Sequence, residues 1–365
     1  MKKTCAFFLA ALLVAVFLPS CAINDEVETL TGVYTREFEG TTLNVYNWAE
    51  FISDGAEGSL DTIAAFEKLT GINVNYSMYE SNEVMYSKLK SGSVSYDVII
   101  PSDYMVQRLI NEGMLLEIDT SKLSNYGNIT DEYKNLYFDP ENKYSVPYSV
   151  GMVGLIYNST MVEEAPTSWS ILFDESYKGD ILMFNNSRDA FAIAQAMLGI
   201  DFNTTDTSEW DRAAELLKTQ KAIIQGYVMD EVFNKMEDGN AALAPYYAGD
   251  YLTMKDINPD LEFVYPDEGV NIFVDSMCIP SSCKNYDAAM LFINFMLEGE
   301  VALANAEYIC YATPNKAVLE HPDYSLRDSE ILYPAVKPKT QYFEDIDAVT
   351  RKYYEDLWVQ ITFGK

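Results

Sequence analysis

Carboxylates and aromatic rings recur together at the ends of apolar runs in this chain, a combination suited to gripping a cation that carries an alkyl body. The run Leu43 to Phe51 (LNVYNWAEF) ends by setting the indole of Trp48, the carboxylate of Glu50 and the ring of Phe51 close together. The two rings offer faces to a cation or a methylene chain, and Glu50 offers a charge to an ammonium. Pro101-Ser102-Asp103-Tyr104 brings a hydroxyl, an acid and a phenol after another apolar run, Arg188-Asp189 opens a helical segment, and Tyr246-Tyr247 precede Ala248-Gly249-Asp250. Each has a plainer explanation. Aromatic clusters pack cores, Glu50 can be solvated, Ser102 can simply cap a helix, acids such as Asp103 and Asp189 suit a helix's first turn, and Gly249-Asp250 suits a turn. Asp275 is harder to explain away, because it interrupts the apolar run NIFVDSMCI. A buried unpaired carboxylate costs several kcal/mol, so Asp275 needs a cationic partner, a proton or an exit to the surface. An internal Lys or Arg and a ligand ammonium would each serve.

Other chemistries lack their residues. The single histidine, His321, lies in a turn-like context before Pro322, which leaves a Ser-His-Asp triad improbable and a His-rich metal site impossible. Neither GxxxxGK[ST] nor GxGxxG occurs. With 25 basic and 56 acidic residues the formal net charge is -31, which repels nucleic acid and draws cations, although the same charge also keeps a surface soluble. Of five cysteines, Cys5 and Cys21 fall in the leader region, and Cys278, Cys283 and Cys310 form no CxxC pattern. A Cys278–Cys283 pair is left open.

The elements that must hold these side chains are legible in outline. Leu43 onward alternates as a strand, Leu60 to Thr70 has helical spacing stopped by Gly71, and Ile72 to Met78 alternates again. Ser81 caps a helix to about Lys90, Tyr96 to Ile100 is an apolar strand, and Met105 to Glu112 is helical. The order β-α-β-α-β-α implies a parallel sheet with right-handed crossovers, whose strand ends are where ligands bind. Tyr144 to Asn158 reads as a crossover between lobes. Thr167-Ser168-Trp169 is expected to start a helix, Ala241 to Tyr247 to be a strand stopping at a turn, and the last 25 residues to be helical.

At 365 residues, 48% of them hydrophobic, the chain fits two domains. Residues 1–20 read as an export signal: Lys2 and Lys3 precede an apolar run from Ala6 to Leu18 that is too short to remain as a membrane span. Ser20-Cys21 resembles the lipobox of bacterial lipoproteins, making Cys21 the expected lipidation site and residues 21–41 an acidic tether.

Taken together, YNWAEF, NYSMYESNEVMYSKLKSG, YDVIIPSDYMV, SVPY, TSW, FVDSMCIP and YATPN, in this order and spacing, closely resemble the polyamine-binding component of bacterial spermidine/putrescine ABC importers. The resemblance runs from Leu43 to the C-terminus. It implies an α/β, two-lobed type II periplasmic-binding-protein fold, each lobe a mostly parallel sheet flanked by helices, closing on ligand in the cleft between them. Lobe 1 is expected over 42–148 and 275–320, and lobe 2 over 149–274 and 321–365. Carried over residue by residue, it implies ligand contacts at Trp48, Glu50, Phe51, Ser102, Tyr104, Asp189, Tyr247, Phe273, Asp275 and Tyr311. Asp275 would be the main partner of an amine, with Trp48, Tyr247 and Phe273 as walls. Asn186 stands where the spermidine-preferring branch has an acid, and Ala49 where it has Thr, while Tyr247-Ala248-Gly249-Asp250 resembles the putrescine-preferring branch and adds Asp250 to the site. The implied protein is a non-enzymatic, monomeric receptor without metal or cofactor. It is lipid-anchored outside the cytoplasmic membrane and delivers putrescine or spermidine to ABC permease subunits, with no nucleic-acid partner. A receptor for another solute is one alternative. A secreted glycoside hydrolase using two of Glu50, Asp189, Asp250 and Asp275 is another.

Overall fold

The computed structural model describes residues 30, 32 and 34–364. The expected export signal, Cys21 and the first part of the expected tether lie outside the described residues.

Lobe 1 begins with β1 (Thr42–Trp48), α1 (Thr62–Thr70), β2 (Asn73–Tyr79), α2 (Asn82–Ser91), β3 (Val98–Ile99) and α3 (Asp103–Asn111). Local signals set the helix ends. Asp61 accepts from the Ala64 N–H to start α1, Gly71 at φ 74° ends it, and Ser81 accepts from the Val84 N–H to start α2. β1 pairs in parallel with both β2 and β3, so each helix must cross back over the sheet. Trp48 and Tyr79, the last residues of β1 and β2, therefore stand opposite each other at one edge. Just before β3, Asp97 donates its N–H to the Asn44 carbonyl of β1, and its carboxylate accepts from the Asn44, Lys284 and Asn285 backbones, which fixes the start of the short strand.

The chain crosses to lobe 2 along β4 (Ser145–Asn158). There it forms β5 (Ile181–Phe184), α4 (Ser187–Leu198), α5 (Thr207–Gln220), β6 (Ile224–Val228), α6 (Glu231–Glu237), β7 (Leu243–Tyr247), α7 (Ala248–Ile257) and β8 (Leu261–Val264). β5 pairs in parallel with β6 and β7, whereas β4 meets β7 and β8 antiparallel. β9 (Val270–Cys278) then returns antiparallel to β4, from Met152↔Ile272 to Ser145↔Cys278, with a register shift between Pro147 and Ser149. The strand order is β2-β1-β3-β9-β4-β7-β5-β6, so β4 and β9 are the shared rails between the two half-sheets.

α8 (Tyr286–Met296), α9 (Gly299–Ile309) and α10 (Lys316–Leu319) complete lobe 1, with Phe292 and Phe295 of α8 packed on Phe66 of α1. A short β10 (Thr340–Gln341) pairs with β9, and α11 (Ala348–Phe363) packs on α5 in lobe 2. One buried apolar cluster backs lobe 1 around Leu43, Phe66 and Phe292. A larger one runs from Tyr46 and Met105 through β4 into Phe184, Phe191 and Trp210.

Three local expectations differ from what is found. Trp169–Phe173 makes only a 3-10 turn, because the buried Trp169 indole donates to the Gly269 carbonyl and Ser168 to Glu268, tying the segment to the β8–β9 connection. Ala248-Gly249-Asp250 is the first turn of α7 rather than a terminating turn. The tail is extended until Asp347, whose carboxylate accepts from Val349 and Thr350 N–H and starts α11. Cys278, Cys283 and Cys310 are free thiols.

Candidate ligand-binding cleft

The edge at which β1 and β2 end faces the N-termini of α4 and α7 across a cavity of about 480 Å³. Ten of the eleven residues singled out in the sequence line it: Trp48, Phe51, Ser102, Tyr104, Asp189, Tyr247, Asp250, Phe273, Asp275 and Tyr311. Glu50 does not. It sits at φ 51° just past β1, where the chain turns, and its side chain is exposed.

Asp275 lies on the shared strand β9 and is 2% exposed. Its partners are hydroxyls: Ser102 Oγ donates to Oδ1 at 2.7 Å and Ser149 Oγ to Oδ2 at 3.2 Å. No Lys or Arg among the described residues pairs with it. Burial pushes the carboxyl up to about 7, and the two serines pull it back only in part.

Asp189, in the first turn of α4, is 5% exposed and accepts from the Tyr247 hydroxyl at 2.9 Å. Burial raises it to about 7; the Tyr247 bond lowers it, the Glu83 charge adds to the rise and the Arg188 charge offsets it. Asp250, in the first turn of α7, is likewise pushed up to about 7 by burial, with Tyr311 lowering it and the charges of Asp230 and Glu50 raising it. Asp103 is fully buried and accepts from the N–H groups of Tyr104 and Val274, and burial holds its carboxyl well above the usual range.

Flat surfaces lie between these acids. The Trp48 indole donates to the Ile100 carbonyl at 2.9 Å, the Tyr79 hydroxyl to the same oxygen at 2.6 Å, and the two rings are 4.6 Å apart. Tyr247 meets Phe273 edge-on at 5.6 Å, and Phe51 meets Tyr311 edge-on at 5.4 Å. Two glycines let these rings sit where they do. A Cβ on Gly151 of β4 would lie 2.2 Å from Phe273 Cζ, and one on Gly249 of α7 would lie 2.3 Å from Tyr311 Cδ2. Several acids taken out of water without a matching set of internal cations suit a ligand that brings two or three positive charges joined by apolar segments.

Residues 61–331 match the family model described as bacterial extracellular solute-binding protein. The chain belongs to this family. The spermidine/putrescine-binding periplasmic protein of Salmonella typhimurium strain LT2 is 36% identical over 326 residues, 87% of this chain and 92% of the relative. Among solved structures, the spermidine/putrescine ABC transporter substrate-binding protein PotD of Streptococcus pneumoniae superposes with a TM-score of 0.77 at 35% identity, covering 89% of this chain and 99% of that one. The Tp0655 (TpPotD) lipoprotein of Treponema pallidum superposes at 0.74 with 26% identity, covering 88% and 99%.

The fold of this solute-binding protein is thus the two-lobed type II arrangement expected from the sequence. Among the described residues no helix is long and apolar enough to cross a membrane, and no group of His, Cys, Asp and Glu is placed to hold a metal ion. Further residues that the sequence reading did not assign to the site also line the solute-binding protein's cleft, among them Glu83, Asp230, Arg188 and Phe343. Glu83 carried one usable signal, being an acid in the first turn of a helix that follows a sheet-edge strand. Phe343 carried none, since it arrives from a tail segment far along the chain.

Proposed function

We propose that this solute-binding protein is a polyamine receptor that captures putrescine or spermidine between its lobes and delivers it to an ABC permease. The observation that carries the reading is Asp275, a carboxylate on the shared strand β9, buried, bonded to two serine hydroxyls and facing the cleft without a basic partner among the described residues. The names of the relatives support the ligand class. In this reading Asp189, Asp250 and Asp275 take the ammonium groups and Trp48, Tyr247, Phe273 and Tyr311 flank the methylenes. Ser102 orients Asp275, Tyr104 and Phe51 complete the walls, and Glu50 adds negative charge at the rim. Charge-assisted hydrogen bonds at about 1.5–3 kcal/mol each and a desolvated cation–ring contact of about 2 kcal/mol reach the roughly 8 kcal/mol of micromolar binding after ordering costs. No covalent step is needed, so the protein acts as a binder rather than an enzyme, as a monomer. Calorimetric titration of the purified protein with putrescine and with spermidine tests this. Saturable heat with at least one of them is expected, and none with either would end the proposal.

We further infer that Cys21 carries lipid and that the acidic segment after it tethers the body outside the cytoplasmic membrane. The Leu18-Pro19-Ser20-Cys21 sequence supports this, as does the likeness to a treponemal lipoprotein. Labelling cells with a palmitate analogue should mark the wild-type protein and leave Cys21→Ser unmarked; equal labelling would refute it.

A further inference from the structure

Besides Asp275, two acidic groups face the cleft, one around Asp250 and one around Asp189, and they are not equivalent. At one end Asp250 of α7 feels the charges of Asp230 and Glu50, and no basic group among the described residues offsets them. At the other, Asp189 of α4 feels Glu83 from lobe 1 on one side and the partly compensating Arg188 on the other.

Glu83 belongs to the first turn of α2, where its Oε1 accepts from the Tyr104 hydroxyl at 2.9 Å. Glu83 lines the same cavity as Asp189 of lobe 2, and its charge raises the Asp189 carboxyl. Glu355 of α11 stands behind α4, accepting from Ser187 Oγ at 2.8 Å. Arg188 does not neutralise the group. Its Nη2 is committed to Asn203 Oδ1 at 2.8 Å and the Glu344 carbonyl at 3.3 Å, its plane lies over Phe343 at 4.8 Å, and it forms no ion pair among the described residues.

An independent observation marks this end as a ligand subsite. Asp189 is more than nine-tenths buried and lines the cavity, and its only side-chain partner is the Tyr247 hydroxyl on Oδ2. Its Oδ1 faces no donor among the described residues.

We propose that Glu83 is a specificity-determining residue: with Asp189 it receives the third ammonium of a triamine, which thereby links lobe 1 to lobe 2 at that end of the cleft. The assignment rests on the polyamine reading above. A ligand with two charges satisfies Asp275 and the more negative Asp250 end, where nothing offsets the acids. Only a ligand with a third charge, set beyond a further run of methylenes, also reaches the Glu83–Asp189 pair. Because the pair draws one carboxylate from each lobe, that ammonium acts on closure as well as on contact. A diamine engages lobe 2 at Asp250 and the shared strand at Asp275 and leaves Glu83 without a counter-charge.

The test is competitive calorimetry of putrescine against spermidine on the wild-type protein and on Glu83→Gln. The glutamine retains an oxygen for the Tyr104 hydroxyl and removes only the charge. The triamine-to-diamine affinity ratio is expected to fall about tenfold or more in the variant, the size of one charge-assisted bond. Glu83→Asp, which keeps the charge on a shorter stem, should recover part of that ratio. An unchanged ratio, or an equal loss for both amines, would overturn the assignment of Glu83 while leaving the polyamine reading intact. Binding of neither amine by the wild-type protein would overturn both.

Discussion

Ser102 and Asp275 meet twice: their backbones form an isolated antiparallel bridge, and the Ser102 hydroxyl donates to Asp275 Oδ1 at 2.7 Å. The α3 cap of lobe 1 is therefore fastened to the shared strand through the one acid that strand carries. Asparagine at 275 would keep an oxygen for Ser102 and lose only the charge. Asp275→Asn should therefore weaken polyamine binding by about 10- to 100-fold, the loss of a charge-assisted bond. It should leave the melting temperature of the free protein unchanged or higher, since a buried, unneutralised carboxylate is removed. Calorimetry and a thermal melt measure the two effects. Full affinity in the variant would remove Asp275 from the site.

Asp189, Asp250 and Asp275 are each pushed up to about 7, above the roughly 4 of an unfolded aspartate. Between these values the folded protein holds more protons than the unfolded chain. The stability these groups contribute is therefore fully present below about pH 4 and is lost as pH rises through about 7. Ligand affinity runs the other way, because ammonium groups need ionised partners. Polyamine binding should strengthen from pH 5.5 to 8 and then level off. Titrations near pH 7 in two buffers of different ionisation heat should show protons released on binding. A flat affinity profile with no proton release would contradict this arrangement of the three acids.

The Phe273 wall depends on a missing side chain. Because a Cβ on Gly151 would stand 2.2 Å from Phe273 Cζ, Gly151→Ala forces the ring off β4 and into the cleft. Overpacking of this kind costs about 1–3 kcal/mol, and both amines should lose affinity together. Gly226→Ala in β6, where an added Cβ meets nothing within 4 Å, is the matched control. Equal melting temperatures and affinities for the two variants would show that the ring is free to move aside.

The parts of this molecule visible in its sequence are those set by near neighbours. The alternation from Leu43, the Ser81 cap and the Gly71 stop gave the β-α-β-α-β order because each acts within a turn of itself. Asp275 was visible because a charge in an apolar run is costly wherever the strand ends up. Asp250 was read within a turn since Gly-Asp suits turns and helix starts alike, and packing of α7 on β4 and β8 decides between them. Glu50 follows Trp48 in the chain, yet a single residue at φ 51° turns it outward, a conformation no pattern of apolar positions reveals. Glu83 and Phe343 reach the cleft only through the fold, from lobe 1 and from the tail.

That tail also joins the lobes a third time. Tyr137 of lobe 1 donates its hydroxyl to the Phe343 carbonyl, and Gln107 of α3 accepts from the Asp345 N–H at 2.7 Å. From lobe 2, Asn203 Nδ2 donates to the Tyr342 carbonyl at 2.9 Å and Arg188 to that of Glu344 at 3.3 Å. Arg188 is the pivot of this strap, stacked over Phe343, while its Nε has no hydrogen-bond partner. A lysine would keep the positive charge beside Asp189 and give up the planar fork and the stacking. Arg188→Lys should therefore lower unfolding free energy by about 1–3 kcal/mol. It should also weaken putrescine and spermidine by similar factors, because the Phe343 wall loosens while the charge at the Glu83–Asp189 end is kept. Denaturant melts with paired titrations separate the two kinds of residue. A selective loss of spermidine in this variant would mean that Arg188 acts through charge rather than by holding the strap in place.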